Sequence, residues 1–207
     1  MNVVFDFGAV LVTWQPGQFL LQMFPERVAT LEAARHLAHQ VFGHPDWHEF
    51  DRGGLAAEQV VSRISQRLDL PLPAVHQLVY GIRERLTPID GTVAVLKKLH
   101  TLRQASDRVT GLYYLSNMPH IYARHLEAHH EFVQWFDGGV FSADVQHIKP
   151  DPAIYQLLQS RYALQPDRTL FIDDLKTNVH VAQTLGWQGL HFESPEQLQA
   201  DLALLGL

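Results

Sequence analysis

The sequence predicts an α/β protein: a parallel sheet between helical layers, with a small helical unit inserted after the first strand. Two observations carry this. Through most of the second half, short apolar runs rich in Val, Ile, Leu and aromatics alternate with helical patterns, which predicts parallel strands joined by right-handed crossovers. From about Trp14 to Thr87 the alternation stops, and only helical patterns remain.

Taken in order, the strands are expected at Val3–Phe5, Val109–Leu115, Gly139–Phe141, Thr169–Ile172 and Gly189–His191. Each is a short run bounded by turn residues, as buried strands are. Helices fall between the later ones. In "DGTVAVLKKLHTL" Val93, Leu96, Leu99 and Leu102 lie nearly in line. "PAIYQLLQSRYAL" follows Pro150-Asp151, with Pro152 suited to a first turn. "LKTNVHVAQTLGW" places Val179, Ala182 and Leu185 on one face, with Gly186 as terminator. The inserted stretch reads as three helical patterns, "VATLEAARHLAHQVF", "LAAEQVVSRISQRL" and "PAVHQLVYGIRERL", broken at Gly43–Pro45, Gly53-Gly54 and Pro71–Pro73. An insert at that point would sit above the carboxyl end of the first strand, where α/β sheets bind ligands. Residues 1–14 and 88–207 are thus expected to form a Rossmann-like three-layer core, and residues 15–87 a helical cap.

Bulk properties narrow the function. The chain has 207 residues, enough for one α/β core with a subdomain, and is 46% hydrophobic and 18% charged, ordinary values for a globular protein. A formal net charge of −6 disfavours a nucleic-acid surface. Having no cysteine, it has no disulfide or thiolate chemistry, which fits the cytoplasm. No basic leader precedes the first apolar run, so no signal peptide is expected. No segment approaches the roughly 18 continuous apolar residues of a membrane span. Oligomeric state is not readable.

The reactive residues fall at strand ends. The first strand ends at Asp6, "LYYLSN" at Ser116-Asn117 and "TLFIDD" at Asp173-Asp174, while "IKPDP" adds Lys149 before a helix. Parallel strands bring their carboxyl ends to one edge, so these groups should converge. Three carboxylates repel unless a cation sits among them. An all-oxygen set suits Mg²⁺. Mg²⁺ and Lys149 together would hold a phosphate, Ser116 and backbone N–H groups would bind its other oxygens, and one carboxylate could act as nucleophile. Singly, each has a plainer reading: Asp6 as a strand end, Ser116-Asn117 as a turn or cap, Lys149 as a surface lysine, Asp173-Asp174 as a helix cap. Their ordered combination is hard to obtain from packing alone. Asn178, one helical turn beyond Asp174, either orients the acidic pair or faces solvent.

In the order "FDFGAV", "LYYLSN", "IKPDPAIY" and "FIDDLKTNVHVAQTLGW", the chain resembles the haloacid dehalogenase-like hydrolase superfamily over essentially its whole length. "WHEFDRGGLAAEQV" resembles the helical cap of its C1 subgroup. The nearest type is the small sugar-phosphate phosphatase acting on glucose-1-phosphate, which also has Gly two residues after the nucleophile. The resemblance implies an Mg²⁺-dependent phosphohydrolase acting on a small phosphorylated metabolite. Asp6 would be the nucleophile, with Ser116, Asn117 and Lys149 on the phosphate. Asp6, the Gly8 carbonyl and Asp174 would serve Mg²⁺, with Asp173 acting through water.

Position 8 departs from the pattern. Most phosphatases of the superfamily carry a second Asp there, which protonates the leaving oxygen and then activates water. A general acid–base is worth on the order of 10²–10⁴ in rate. Three consequences compete: the cap supplies a substitute from Asp46, His48, Glu49 or Asp51, the leaving group needs little help, or the protein is a poor catalyst. Two alternatives follow. Dehalogenases of the superfamily also lack the second Asp, because halide leaves without a proton; but they carry Tyr there, need no Mg²⁺ and do not usually keep the Asp-Asp pair. A chain that kept the fold and lost turnover would be a binding or regulatory protein. Thirteen histidines, including His36/His39 and His125/His129 at one-face spacing, carry no zinc motif and read as solvated helix faces. Trp14 and Trp47 are expected either in the core or at the cap mouth.

Overall fold

The computed structural model describes residues 1–207. Five strands form one parallel sheet: β1 (Asn2–Phe5), β2 (Gly111–Ser116), β3 (Gly138–Phe141), β4 (Thr169–Asp173) and β5 (Gln188–His191), in spatial order β3-β2-β1-β4-β5. β1 is central. The chain builds outward through β2 and β3, then returns to the other side of β1 with β4. The reversal lies between β1 and β4, the place where such sheets open a crevice at their carboxyl edge. Phe5 pairs with Ile172 and Tyr114, so the residues following Phe5 and Ile172 lie side by side at that edge.

Helices α1 (Pro16–Met23), α2 (Leu31–Phe42), α3 (Pro45–Asp51), α4 (Ala57–Leu68) and α5 (Leu72–Arg85) follow β1, with no strand among them. Then come α6 (Asp90–Ala105), α7 (His120–His129), α8 (Pro152–Tyr162), α9 (Lys176–Thr184) and α10 (Pro195–Leu204). The caps are local chemistry. Thr30, Asp151 and Ser194 side chains accept from the N–H groups of Ala33, Ala153 and Gln197, satisfying donors that a helix start leaves free. Strand limits differ from expectation by one or two residues. The largest shift is in β2, which begins at Gly111, two residues later than expected, although the Thr110 N–H still bonds the Met1 carbonyl just before it.

One apolar core of 44 buried residues runs from sheet residues such as Val3, Phe5 and Leu112 into the helical insert through Leu37, Val60, Ile64 and Val79. A second cluster, with Tyr155, Phe171 and Trp187, fills the opposite face of the sheet under α8 and α9. A chain of edge-to-face aromatic pairs crosses from insert to core: Trp14–Phe42, Phe42–Trp47, Trp47–Phe50 and Phe50–Tyr122, with centroids 5.1, 4.6, 5.3 and 5.8 Å apart. Tyr122, on α7, donates its hydroxyl to the Val79 carbonyl of α5 at 2.7 Å. Insert and sheet therefore pack as one body around a shared core.

Candidate active site

Asp6 follows β1 directly, and its N–H donates to the Ile172 carbonyl at 2.9 Å. That bond extends the ladder one residue and aims the side chain from the edge. Ser116 is the last residue of β2, Asp173 the last of β4, and Asp174 comes next. All four, with Gly8, Asn117, Lys149 and Asn178, meet at the sheet's carboxyl edge. Asp6, Ser116, Lys149, Asp173 and Asn178 are buried there.

Lys149 is the centre of the arrangement. Its Nζ stands 2.8 Å from Asp6 Oδ1 and 2.7 Å from Asp173 Oδ2. Asp6 Oδ1 also accepts from the Phe7 N–H at 2.7 Å. Both Asp173 oxygens are taken: Oδ1 accepts from Leu175 N–H at 2.8 Å, Oδ2 from Lys149, and Asn178 Nδ2 donates to each at 3.0 Å. Asn178 is thus buried and holds Asp173, the first acid of the pair, rather than facing solvent. Asp174 is only part-buried and its carboxylate has no such partners, so it is the acid left free to meet a ligand.

The electrostatics follow from a simple count. Three carboxylates and one ammonium leave two negative charges in a desolvated site. Burial drives the Asp6 carboxyl above its ordinary value; Lys149 opposes this and Asp173 adds to it. Burial works against the Lys149 ammonium, but Asp173 and Asp6 outweigh it and hold its pKa up. The Asp174 carboxyl is pushed up to about 7, first by burial and then by Asp6 and Asp173. Raised carboxylates and a raised lysine are the joint signature of one cation shared among too many anions. Carboxylate oxygens of Asp6, Asp173 and Asp174 lie within 4.8 Å of one another, and no other group of three acids or histidines in the protein does so. An oxygen-only set with this charge deficit fits a hard divalent cation such as Mg²⁺.

Above the carboxylates lies a cavity of about 430 Å³. Its floor is Asp6, Gly8, Ser116, Asn117, Lys149, Asp174 and Asn178. Its walls include Trp14, Phe42, Trp47, Ile82 and Leu86 from the N-terminal half and Met118 from the loop after β2. Trp14 and Trp47 therefore line the cavity as well as packing against the core. The Asn117 side chain is spent on Lys149: Nδ2 donates to the Lys149 carbonyl at 2.9 Å, and Oδ1 accepts the Lys149 N–H at 2.7 Å. That leaves the backbone of Asn117 as the part able to meet a ligand. Thr177, which sequence reasoning missed, also faces the cavity. Its position one residue before Asn178 on α9 was the available signal.

Residues 3–186 match the haloacid dehalogenase-like hydrolase family. The chain belongs to it. Among curated relatives, it is 26% identical over 188 residues to the sesquiterpene phosphatase astK of Aspergillus oryzae, covering 91% of this chain and 87% of that protein. It is 22% identical over 215 residues to the D-ribitol-5-phosphate phosphatase of Bacteroides thetaiotaomicron, covering 99% and 97%. Two others are matched over only 6% and 35% of their length. Among solved structures, the haloacid dehalogenase family enzyme bt-2542 of Bacteroides thetaiotaomicron, in complex with magnesium and inorganic phosphate, superposes with a TM-score of 0.69 at 19% identity over 93% of each chain. This hydrolase thus shares its fold across nearly its whole length with a structure that holds both magnesium and phosphate.

Proposed function

We propose that this hydrolase is an Mg²⁺-dependent phosphatase that cleaves a small phosphomonoester through an aspartyl phosphate on Asp6. The observation that carries the reading is the carboxyl edge of the sheet beneath the cavity, where three carboxylates and one buried lysine leave a net charge that invites a divalent cation. Asp6, the Gly8 carbonyl and Asp174 would hold Mg²⁺, with Asp173 acting through water, since its own oxygens are occupied. When bound, Mg²⁺ would supply positive charge against the phosphate oxygens. Lys149, beside Asp6, supplies the same from the protein, and Ser116 with the Asn117 backbone binds the remaining oxygens. Asp6, aimed from β1, attacks phosphorus as the alcohol departs; water then releases phosphate and regenerates the carboxylate. Residues 15–87 act as the helical cap, with residues 1–14 and 88–207 as the core. No helix is long and apolar enough to cross a membrane, and we place the protein in the cytoplasm.

The resemblance to glucose-1-phosphate phosphatases favours a sugar phosphate. The cavity favours a second reading of the leaving group. Above the floor its walls are mostly apolar; the polar exceptions are His48, Asp51 and Thr177, with Tyr122, whose hydroxyl is spent on the Val79 carbonyl. A polyol would bury most of its hydroxyls against apolar side chains, at roughly 1–3 kcal/mol for each one left unpartnered, whereas an apolar alcohol would be matched. The two full-length relatives carry names of both kinds, one a sesquiterpene phosphatase and one a pentitol-phosphate phosphatase.

The test is phosphate release from an aryl phosphate with Mg²⁺, with EDTA, and with Asp6→Asn. Release that needs both Mg²⁺ and Asp6 is expected, and equal rates in all three sink the proposal. Halide release from 2-chloropropionate without metal would instead support the dehalogenase alternative. Binding of Mg²⁺ and phosphate analogues without turnover would support a non-enzymatic role. Comparing kcat/KM for farnesyl phosphate and glucose-1-phosphate separates the two leaving-group readings.

A further inference from the structure

Position 8 has no acid, yet besides Asp6 and Asp174 on its floor the cavity is lined by one further carboxyl, from the helical insert. We propose that Asp51, the last residue of α3, is the general acid and base of the reaction, giving the proton that position 8 cannot give. The proposal rests on the phosphatase reading above.

Geometry singles out Asp51 among the acids of its helix. Asp46 is ion-paired with Arg63 at 2.9 Å and lies 3.8 Å from Arg67. Glu49 is ion-paired with Arg52. Neither lines the cavity. Asp51 does, on the same cavity as Asp6, and its carboxyl forms no ion pair or hydrogen bond within the chain. Its backbone is tied to the phosphate-binding edge by a two-bond relay. The Met118 N–H donates to Ser142 Oγ at 2.8 Å, and the Ser142 hydroxyl donates to the Asp51 carbonyl. Met118 is two residues beyond Ser116. Gly53 fixes the other side: its φ is +82°, and a side chain there would stand 2.7 Å from the Ala143 carbonyl. Asp51 is thus held against the sheet edge by two close approaches.

Its surroundings suit proton transfer. His48 faces the same cavity from the same helix, Tyr122 adjoins from α7, and Lys149, Asp6 and Asp174 lie on the floor. On the sheet side His120 and Arg124 are engaged with Asp144. With no cation paired to it, burial pushes the Asp51 carboxyl up to about 8. At neutral pH it therefore carries a proton.

In the first step an Asp6 oxygen bonds to phosphorus and the bond from phosphorus to the leaving oxygen breaks. The Asp51 proton passes to that oxygen, releasing the alcohol and leaving an Asp51 carboxylate. In the second, Asp51 takes a proton from water as the water oxygen bonds to phosphorus. The bond from phosphorus to Asp6 breaks, and both carboxyl groups return to their starting states.

The test uses two leaving groups in Mg²⁺ buffer: hexyl phosphate, a poor one, and 4-nitrophenyl phosphate, a good one. Since kcat/KM reports the first step, Asp51→Asn should lower it for hexyl phosphate by roughly 10²–10⁴-fold. The loss should be at least tenfold smaller for the aryl ester, and the basic limb near pH 8 should vanish. Asp46→Asn, away from the cavity, serves as the control for general disturbance of α3, and thermal unfolding checks that both variants fold. Equal losses on the two substrates, no loss on hexyl phosphate, or a retained basic limb would overturn the role of Asp51 while leaving the phosphatase reading intact. Wild-type release that is indifferent to Mg²⁺ and to Asp6→Asn would overturn both.

Discussion

Asn117 and Lys149 hold each other by a reciprocal pair of hydrogen bonds, side-chain amide to backbone, at 2.9 and 2.7 Å. The loop carrying the buried lysine is therefore locked to the strand end carrying Ser116, and the ammonium inherits its position from an amide that never touches it.

Asn117→Ala should release that lock. A catalytic group misplaced by about 1 Å can cost on the order of 10²-fold. We expect kcat for an aryl phosphate to fall roughly 10–100-fold. Asn117→Asp, which keeps one acceptor for the Lys149 N–H, should fall less. Steady-state kinetics on the two variants checks this.

Lys149→Met leaves three carboxylates together with no cation. Removing one partner of a buried ion pair typically costs about 3–5 kcal/mol. Calorimetry in metal-free buffer should show a loss of that order. Adding Mg²⁺ should recover part of it, because a ligand that binds only the folded state stabilises it. A variant as stable as wild type without metal would mean that the lysine does not balance the site.

Gly8 is not required by space. A side chain there would meet nothing closer than Trp14 Cβ at 3.9 Å, an ordinary contact. Gly8→Asp should fold with a Tm within a few degrees of wild type. In the Asp51→Asn background it should restore at least tenfold of the lost kcat/KM on hexyl phosphate. No recovery would place the vacant acid position somewhere other than residue 8.

The stability of the Asp51→Asn variant should depend on pH with a definite sign. The folded pKa is about 8 against an ordinary value of 3.8. Between these the folded chain keeps a proton that the unfolded chain has released, so wild-type stability falls as pH rises through that window and levels above it. Asparagine is neutral in both states. The variant should match wild type near pH 4 and melt higher near pH 8, by about 2–4 °C for each kcal/mol recovered. Denaturation curves at the two pH values read it directly.

Much of this was legible in the sequence, for identifiable reasons. Buried parallel strands are continuous apolar runs, so Val3–Phe5 and Thr169–Ile172 announced themselves, and the acids after them had to share an edge. The helical patterns miss α1, α3, α7 and α10, although Pro16, Pro45 and the Ser194-Pro195 start of α10 are readable signals. The site carboxylates were found because strand ends are local features. Asp51 stayed one of four candidates because its distinction is tertiary: Asp46 and Glu49 are claimed by arginines on α4 and beyond α3, and Asp51 is claimed by none. The role of Asn117 was likewise hidden, since its partner lies 32 residues away.

The aromatic chain from Trp14 to Tyr122 also has a kinetic consequence. Its last link, Phe50 to Tyr122, is where it passes from the insert to α7. An aromatic pair of this kind is worth about 0.5–1.5 kcal/mol beyond its buried area. A form in which the insert lifts away from the sheet would lose that contact, and would be roughly two- to tenfold rarer for this reason alone. Where entry needs such a form, ligand encounter is throttled by its population, so trimming Phe50 to Leu should speed capture and release together, leaving the affinity less changed than either rate.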